Sequence, residues 1–412
     1  MKEYIKETEG GIAAAKGFYA AAHAAGIKYQ GRTDMALIYS EAPCVTAGTF
    51  TTNVVKAAPV KWDMRIVHGD GAVRAVVINS GIANAATGRE GMSICEKTAE
   101  AMSACYGGKP EEVLVASTGV IGMQIDAGRI TAGCSALYEK KEHSAAAATS
   151  AAQAIMTTDT HKKEISVEVS LTDGKTIRIG AMTKGSGMIH PNMCTMLGFV
   201  TTDAAVDKKL LQKAISSVVE DSFNMISVDG DTSTNDTYVI LANGLAGNTI
   251  IDSENEDYAR FCEALRYVSV YLAKQMAGDG EGATALFECR VTGAANVAEA
   301  KKLAKSVIGS SLCKAAIYGH DSNFGRFLCA LGYAGVDFDP ELVDLTYESA
   351  AGSLAIVRGG MGTGYDEEEA TKLLSEDVVT VLVDMHRGDA EATAWGCDLS
   401  YDYVKINADY RS

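Results

Sequence analysis

The stretch GMIHPNMCTMLGF, residues 187–199, sets a cysteine directly before a threonine inside an otherwise apolar run. The preceding KGSG (184–187) supplies a cation and two glycines, which allow close backbone approach and unusual φ angles. Pro191 stiffens the chain just ahead of the Cys194–Thr195 bond. A segment built this way can hold one peptide bond in a strained geometry, so that the Thr195 hydroxyl attacks the carbonyl of Cys194. Water then hydrolyses the ester and leaves a threonine carrying both a nucleophile and an α-amine. That amine, with a reference pKa of about 7.7–8.0, can serve as the hydroxyl's own general base. Cys194 would lie on the departing side of the cut. Taken alone, the window is better read as a threonine on a buried strand, and the rest of the chain has to decide.

Just upstream, ISVEVSLTDGKTIRIG (165–180) alternates apolar and polar residues on both sides of Asp173-Gly174, a dipeptide suited to a tight hairpin turn. Downstream, Asp207 is placed to cap a helix whose stripe is Leu210, Leu211, Ala214, Ile215, Val218 and Val219. The polar loop VDGDTSTNDT (228–237) follows; it lacks the glycine and twelfth-position glutamate of a calcium loop and reads as a structured wall of a pocket. AVRAVVINSG (72–81) reads as a buried strand, and 90–108 and 144–156 as helices. Two further helices, near 256–276 and 295–308, flank the strand-like TALFECRVTGA (284–294). DVVTVLVDM (377–385) and AEATAWGCDL (390–399) predict a second hairpin with HRGD at its turn. The element order predicts a layered α/β protein with mixed or antiparallel sheets.

Composition narrows the chemistry. In 412 residues, 47% apolar and 22% charged, there is ample material for a large core. A formal net charge of -16 without a basic block argues against nucleic acid. The ten cysteines form no C-x-x-C pair and mostly sit beside small apolar residues, as reduced, buried thiols do. Seven histidines without paired spacing give metal catalysis no support. His190, five residues before Thr195, is not placed as a base by proximity alone. RGGMGTGYD (358–366) matches no phosphate-binding loop and reads as a turn. No signal peptide or apolar run of membrane-spanning length is apparent, so a cytoplasmic protein is expected.

Residues 184–204, KGSGMIHPNMCTMLGFVTTDA, resemble the self-processing segment of the ornithine acetyltransferase family, the glutamate N-acetyltransferases of arginine biosynthesis. The resemblance extends in order through 31–60, NSGIANAATG (79–88), ASTGVIG (116–122), IMTTDT (155–160), SVDGDTSTNDT (227–237), DGEGAT (279–284), YGHDSNFGR (318–326) and the terminal NADYRS (407–412). Cys194 stands where the family usually has alanine, and Ile82 where it has asparagine.

The resemblance implies a layered α-β-β-α fold of self-cleaving threonine acyltransferases with two lobes. It implies an α chain of 1–194, a β chain of 195–412, and an assembly of two of each. The implied reaction is ping-pong acetyl transfer from N2-acetyl-L-ornithine to L-glutamate through an acetyl ester on Thr195. Thr118 and the Gly119 N–H are the implied oxyanion hole. Lys184, Thr195, Glu281, Asn407, Ser412 and Thr158, or its neighbour Thr157, are the implied substrate contacts. No cofactor is implied, and whether acetyl-CoA also serves as donor is left open. A self-cleaving aminopeptidase or amidase is the alternative reading.

Overall fold

The computed structural model describes residues 2–190 and 196–409; the Cys194–Thr195 bond and Ser412 lie outside them. The strands in chain order are β1 (Ile5–Glu7), β2 (Phe18–His23), β3 (Met35–Phe50), β4 (Val73–Asn79), β5 (Val113–Ser117), β6 (Lys163–Ser170), β7 (Thr176–Lys184) and β8 (Leu197–Thr202). They continue with β9 (Ile226–Ser227), β10 (Thr237–Ala242), β11 (Leu286–Ala294), β12 (Asp344–Ser349), β13 (Gly352–Arg358), β14 (Met361–Gly362), β15 (Val378–Asp384) and β16 (Ala390–Cys397).

Among the described residues these strands form two mixed sheets. The larger runs β1-β6-β7-β8-β10-β3-β4-β5, with β2 also on β3, and the smaller runs β14-β13-β12-β15-β11-β16-β9. Strand periodicity divides the core. In β10, Tyr238, Ile240 and Ala242 enter one apolar cluster while Val239 and Leu241 enter the other, as alternating side chains on opposite faces must. One face of the large sheet is covered by helices Ala58–Val67, Gly88–Tyr106, Ala127–Lys140 and Ala145–Ala154. The other carries Lys208–Glu220 and Glu256–Gly278, and the latter also touches β11 and β16 of the small sheet. Beyond that sheet, Val297–Gly309 packs on β11 and β16.

Local chemistry explains the elements that frame the site. The β6–β7 hairpin turns at Asp173-Gly174, where Gly174 has φ +77° and the Asp173 carboxylate accepts the Lys175 and Thr249 N–H groups. Asp207 caps Lys208–Glu220 by accepting from the N–H groups of Lys209 and Leu210. Leu211, Ala214, Ile215, Val218 and Val219 of its stripe are buried, and Leu210 is half-buried. Within RGGMGTGYD the turn between β13 and β14 is Gly359-Gly360, both at positive φ.

The expected second hairpin is corrected. Both strands form, but β11 lies between them, parallel to β15 and antiparallel to β16. Phe287, Cys289 and Val291 of β11 are fully buried, so this strand belongs at the sheet centre rather than its edge. HRGD crosses the end of β11, where Arg387 N–H donates to the Gly293 carbonyl and Met385 N–H to that of Thr292.

Candidate active site

The end of β7 sets the geometry. Lys184, its last residue, pairs with Leu197 at the start of β8, and Leu197 pairs with Thr237 at the start of β10. This register sets Lys184, Met196 and Asp236 close together at one end of the three strands. Lys184 is buried, and burial pulls its ammonium pKa down while Asp159, Glu281 and Asp236 push it back up.

The turn after β5 is held by the NSGIANAATG block. Thr118 N–H donates to the Asn79 carbonyl, Val120 N–H to that of Gly81, and Ala83 N–H to that of Val120. Gly119 has φ +125°, and a Cβ there would meet the Gly81 carbonyl carbon at 2.3 Å, so backbone angle and close approach both demand glycine. Among the described residues, neither the Gly119 N–H nor the Thr118 hydroxyl makes a hydrogen bond. Two donors held on a fixed turn and left unpaired are what an oxyanion hole requires. Asn235 locks this turn to the polar loop, donating from Nδ2 to the carbonyls of Ala83 and Ser117 at 2.6 and 2.8 Å.

A third wall comes from Gly280–Gly282. Glu281 N–H donates to the Ser186 carbonyl, and the absence of a side chain at Gly187 lets the Glu281 carboxylate lie against that backbone. Asn407, on the C-terminal helix Tyr401–Asp409, donates to Glu281 Oε2 at 2.8 Å, so this helix folds back over the site. Thr118, Gly119, Thr157, Thr158, Lys184, Glu281 and Asn407 thus line one cavity of about 150 Å³, together with Ser233, Thr234 and Asn235 of the polar loop. Both threonines of IMTTDT reach it. A larger cavity of about 490 Å³, between Glu256–Gly278 and β16, contains none of these residues.

Residues 187–190, which precede the Cys194–Thr195 bond in sequence, are pinned rather than loose. Asp229 accepts the N–H groups of Met188 and Ile189, and the Thr232 hydroxyl donates to the His190 carbonyl. His190 itself engages the Ser227 hydroxyl at 3.0 Å and does not line the cavity.

Sequence reading missed the charged frame behind these walls. Lys163 is fully buried between Asp159 (2.8 Å) and Asp279. Asp159 also accepts the N–H groups of Gly185 and Thr157, and Asp279 those of Thr160 with its hydroxyl, while the Ser186 hydroxyl donates to the Asp279 carbonyl. One ionic cluster therefore fixes the segments carrying Thr157, Lys184 and Glu281. Although burial opposes it, Lys184 and Lys163 hold the Asp159 carboxyl well below the usual range. The pairing of Lys163 with a carboxylate 116 residues away leaves no local signal, although Asp159 lies in IMTTDT and Asp279 opens DGEGAT.

A buried cation, a facing carboxylate and an unpaired donor turn on one cavity are compatible with acyl-transfer chemistry. The comparisons with known proteins agree. The chain belongs to the ArgJ family, whose model matches residues 19–412. It is 50% identical to the arginine biosynthesis bifunctional protein ArgJ 1 of Clostridium acetobutylicum, covering 96% of each chain. It is equally 50% identical to the ArgJ of Symbiobacterium thermophilum, over 98% of this chain and 99% of that one. Among solved structures, an ArgJ chain from Bacillus halodurans matches at 49% identity with TM-score 0.49, covering 51% of this chain and 97% of that one. The ornithine acetyltransferase of Mycobacterium tuberculosis, solved with ornithine, matches at 38% identity with TM-score 0.42, covering 46% and 98%.

Proposed function

We propose that this acyltransferase of arginine biosynthesis moves an acetyl group from N2-acetyl-L-ornithine to L-glutamate, with Thr195 as the carrier. The observation that carries this reading is the convergence of Thr118, Gly119, Thr157, Thr158, Lys184, Glu281 and Asn407 on one cavity. At about 150 Å³ it is smaller than the ~300–1,000 Å³ of drug-sized sites, and an amino acid suits it.

Thr195 becomes the first residue of a 195–412 chain when the bond after Cys194 is broken. Its hydroxyl, relieved of its proton by its own amine, attacks the acetyl carbonyl. The oxyanion is met by the Thr118 hydroxyl and Gly119 N–H, and the ornithine amine leaves with the proton. The glutamate amine then attacks the acetyl ester through the same oxyanion hole, which divides one amide exchange into two easier steps. Lys184 pairs with a substrate carboxylate, and Glu281, oriented by Asn407, with the ornithine side-chain ammonium. Thr157, Thr158 and Ser412 complete the contacts.

The reaction needs no cofactor; acetyl-CoA is the one other donor to test. No described helix is long and apolar enough to cross a membrane. A cytoplasmic enzyme of two 1–194 and two 195–412 chains completes the proposal. Intact mass decides its core: wild type should give two chains split after Cys194, the larger gaining one acetyl group on incubation with donor alone. An uncut Thr195→Ala protein that still transferred acetyl groups would end it.

A further inference from the structure

Asn235 grips the turn that carries Thr118 and Gly119 without belonging to it. Its side chain is buried, and Nδ2 donates to the Ser117 carbonyl at 2.8 Å and to the Ala83 carbonyl at 2.6 Å. These two acceptors straddle the donor pair. Ser117 immediately precedes Thr118, and Ala83 N–H donates to the Val120 carbonyl just beyond Gly119. Oδ1 accepts from the Thr234 hydroxyl at 2.6 Å, which fixes the end of the amide that faces the turn. Ser117 and Ala83 are buried as well, and a buried carbonyl left unpaired is costly, so both bonds are held firmly. With both amide hydrogens committed, Asn235 has no side-chain donor left for a substrate, although it lines the cavity.

The turn's other ties are local. Asn79 donates from Nδ2 to the Ile82 carbonyl at 2.9 Å and accepts from the Ser117 hydroxyl at 2.7 Å. Among the described residues, no residue after position 195 other than Asn235 hydrogen-bonds to 79–83 or 116–120. In a chain cut after Cys194, the donor turn lies on the 1–194 part and Asn235 on the 195–412 part. Its two bonds then carry the alignment of one part against the other.

We propose that Asn235 is a positioning residue that sets the Thr118 hydroxyl and Gly119 N–H for the oxyanion and keeps their turn in register with the 195–412 chain. The assignment rests on that pair being the oxyanion hole. A donor turn displaced by about 1 Å can cost on the order of 100-fold in rate while leaving substrate contacts in place.

The test is Asn235→Asp, which keeps the size but turns an oxygen toward the two carbonyl oxygens. The variant should be cut after Cys194 as wild type is and keep the donor KM within about threefold. Its kcat should fall by about 100-fold. A double-mutant cycle with Thr118→Val, which removes the hydroxyl donor, gives the readout that a merely structural role would not move. Groups that act through one another are non-additive, so the double variant should be little slower than the slower single. Unchanged kcat, a change confined to KM, or two effects that simply multiply overturns the proposal. So does a folded but uncut variant, which would place the role in maturation. Should Asn235→Asp not fold, Asn235→Ser, which keeps one hydroxyl donor, runs the same cycle and is judged on the same outcomes. Thr118→Val alone separates this from failure of the parent reading. Wild-type kcat there ends both, whereas a slow Thr118→Val beside full-speed Asn235 variants ends only the tie.

Discussion

Asn407 donates to Glu281 Oε2 across 2.8 Å, joining the C-terminal helix to a loop 126 residues earlier in the chain. The same Nδ2 group reaches the Tyr403 carbonyl at 3.0 Å, and the Ser400 hydroxyl anchors the helix start on the Gly282 carbonyl. A terminal helix with no buried residue is normally frayed, so these polar ties are what keep it over the cavity.

Deleting residues 407–412 removes the clamp without touching the core. The donor KM should rise at least about tenfold while the melting temperature stays within a few degrees, since a charge-assisted hydrogen bond contributes about 1.5–3 kcal/mol. Steady-state kinetics on the truncated enzyme checks it, and unchanged kinetics would remove the tail from the site.

Gly119→Ala should be nearly inactive. The residue would carry a Cβ at φ +125° and 2.3 Å from the Gly81 carbonyl carbon, forcing the turn away from its hydrogen bonds to 79–83. Loss of one oxyanion donor typically costs about 10²–10³ in kcat. A variant cut after Cys194 with wild-type kcat would show that the oxyanion is held elsewhere.

Lys163→Met should cost stability out of proportion to one surface charge. Its ammonium is fully buried between Asp159 and Asp279, and removing one partner of a buried ionic cluster leaves stranded carboxylates, at a cost of about 3–5 kcal/mol. Lys213→Met, which breaks the exposed pair with Glu254, should cost less than about 1 kcal/mol. Denaturant midpoints of the two variants measure the contrast directly.

This cluster also marks where sequence reading stops. Motifs that act through local geometry were legible: the Asp173-Gly174 turn and the Asp207 cap each declare a backbone need on the spot, whereas the glycine at 119 was legible only through resemblance. The residues that line the cavity were legible through resemblance, because each stands in a short recognisable block. Lys163 is not, since an ordinary lysine on a strand announces nothing, and Asp279, though it opens DGEGAT, shows no partner until the fold brings the two together. The last two strands failed for a related reason. Alternation predicts a strand and a polar turn predicts a reversal, but neither reveals that β11, some ninety residues earlier, fits between them better than they fit each other.

Lys184 should give substrate binding and stability opposite responses to alkali. Burial places its folded pKa below the unfolded value of about 10.4, so the folded state loses that proton first as pH rises. On the proposed pairing of Lys184 with a substrate carboxylate, binding needs the charged form, and KM should therefore climb once pH passes the lowered folded pKa. Stability runs the other way. Between the folded and unfolded pKa values the unfolded chain binds more protons, so the contribution of this residue to stability grows with pH across the same window. Lys184→Met should abolish both dependences, leaving a high and pH-insensitive KM together with a flatter stability profile. Parallel KM and denaturation series from pH 7 to 10 test the sign. If KM and stability worsened together, Lys184 would not be the group that titrates.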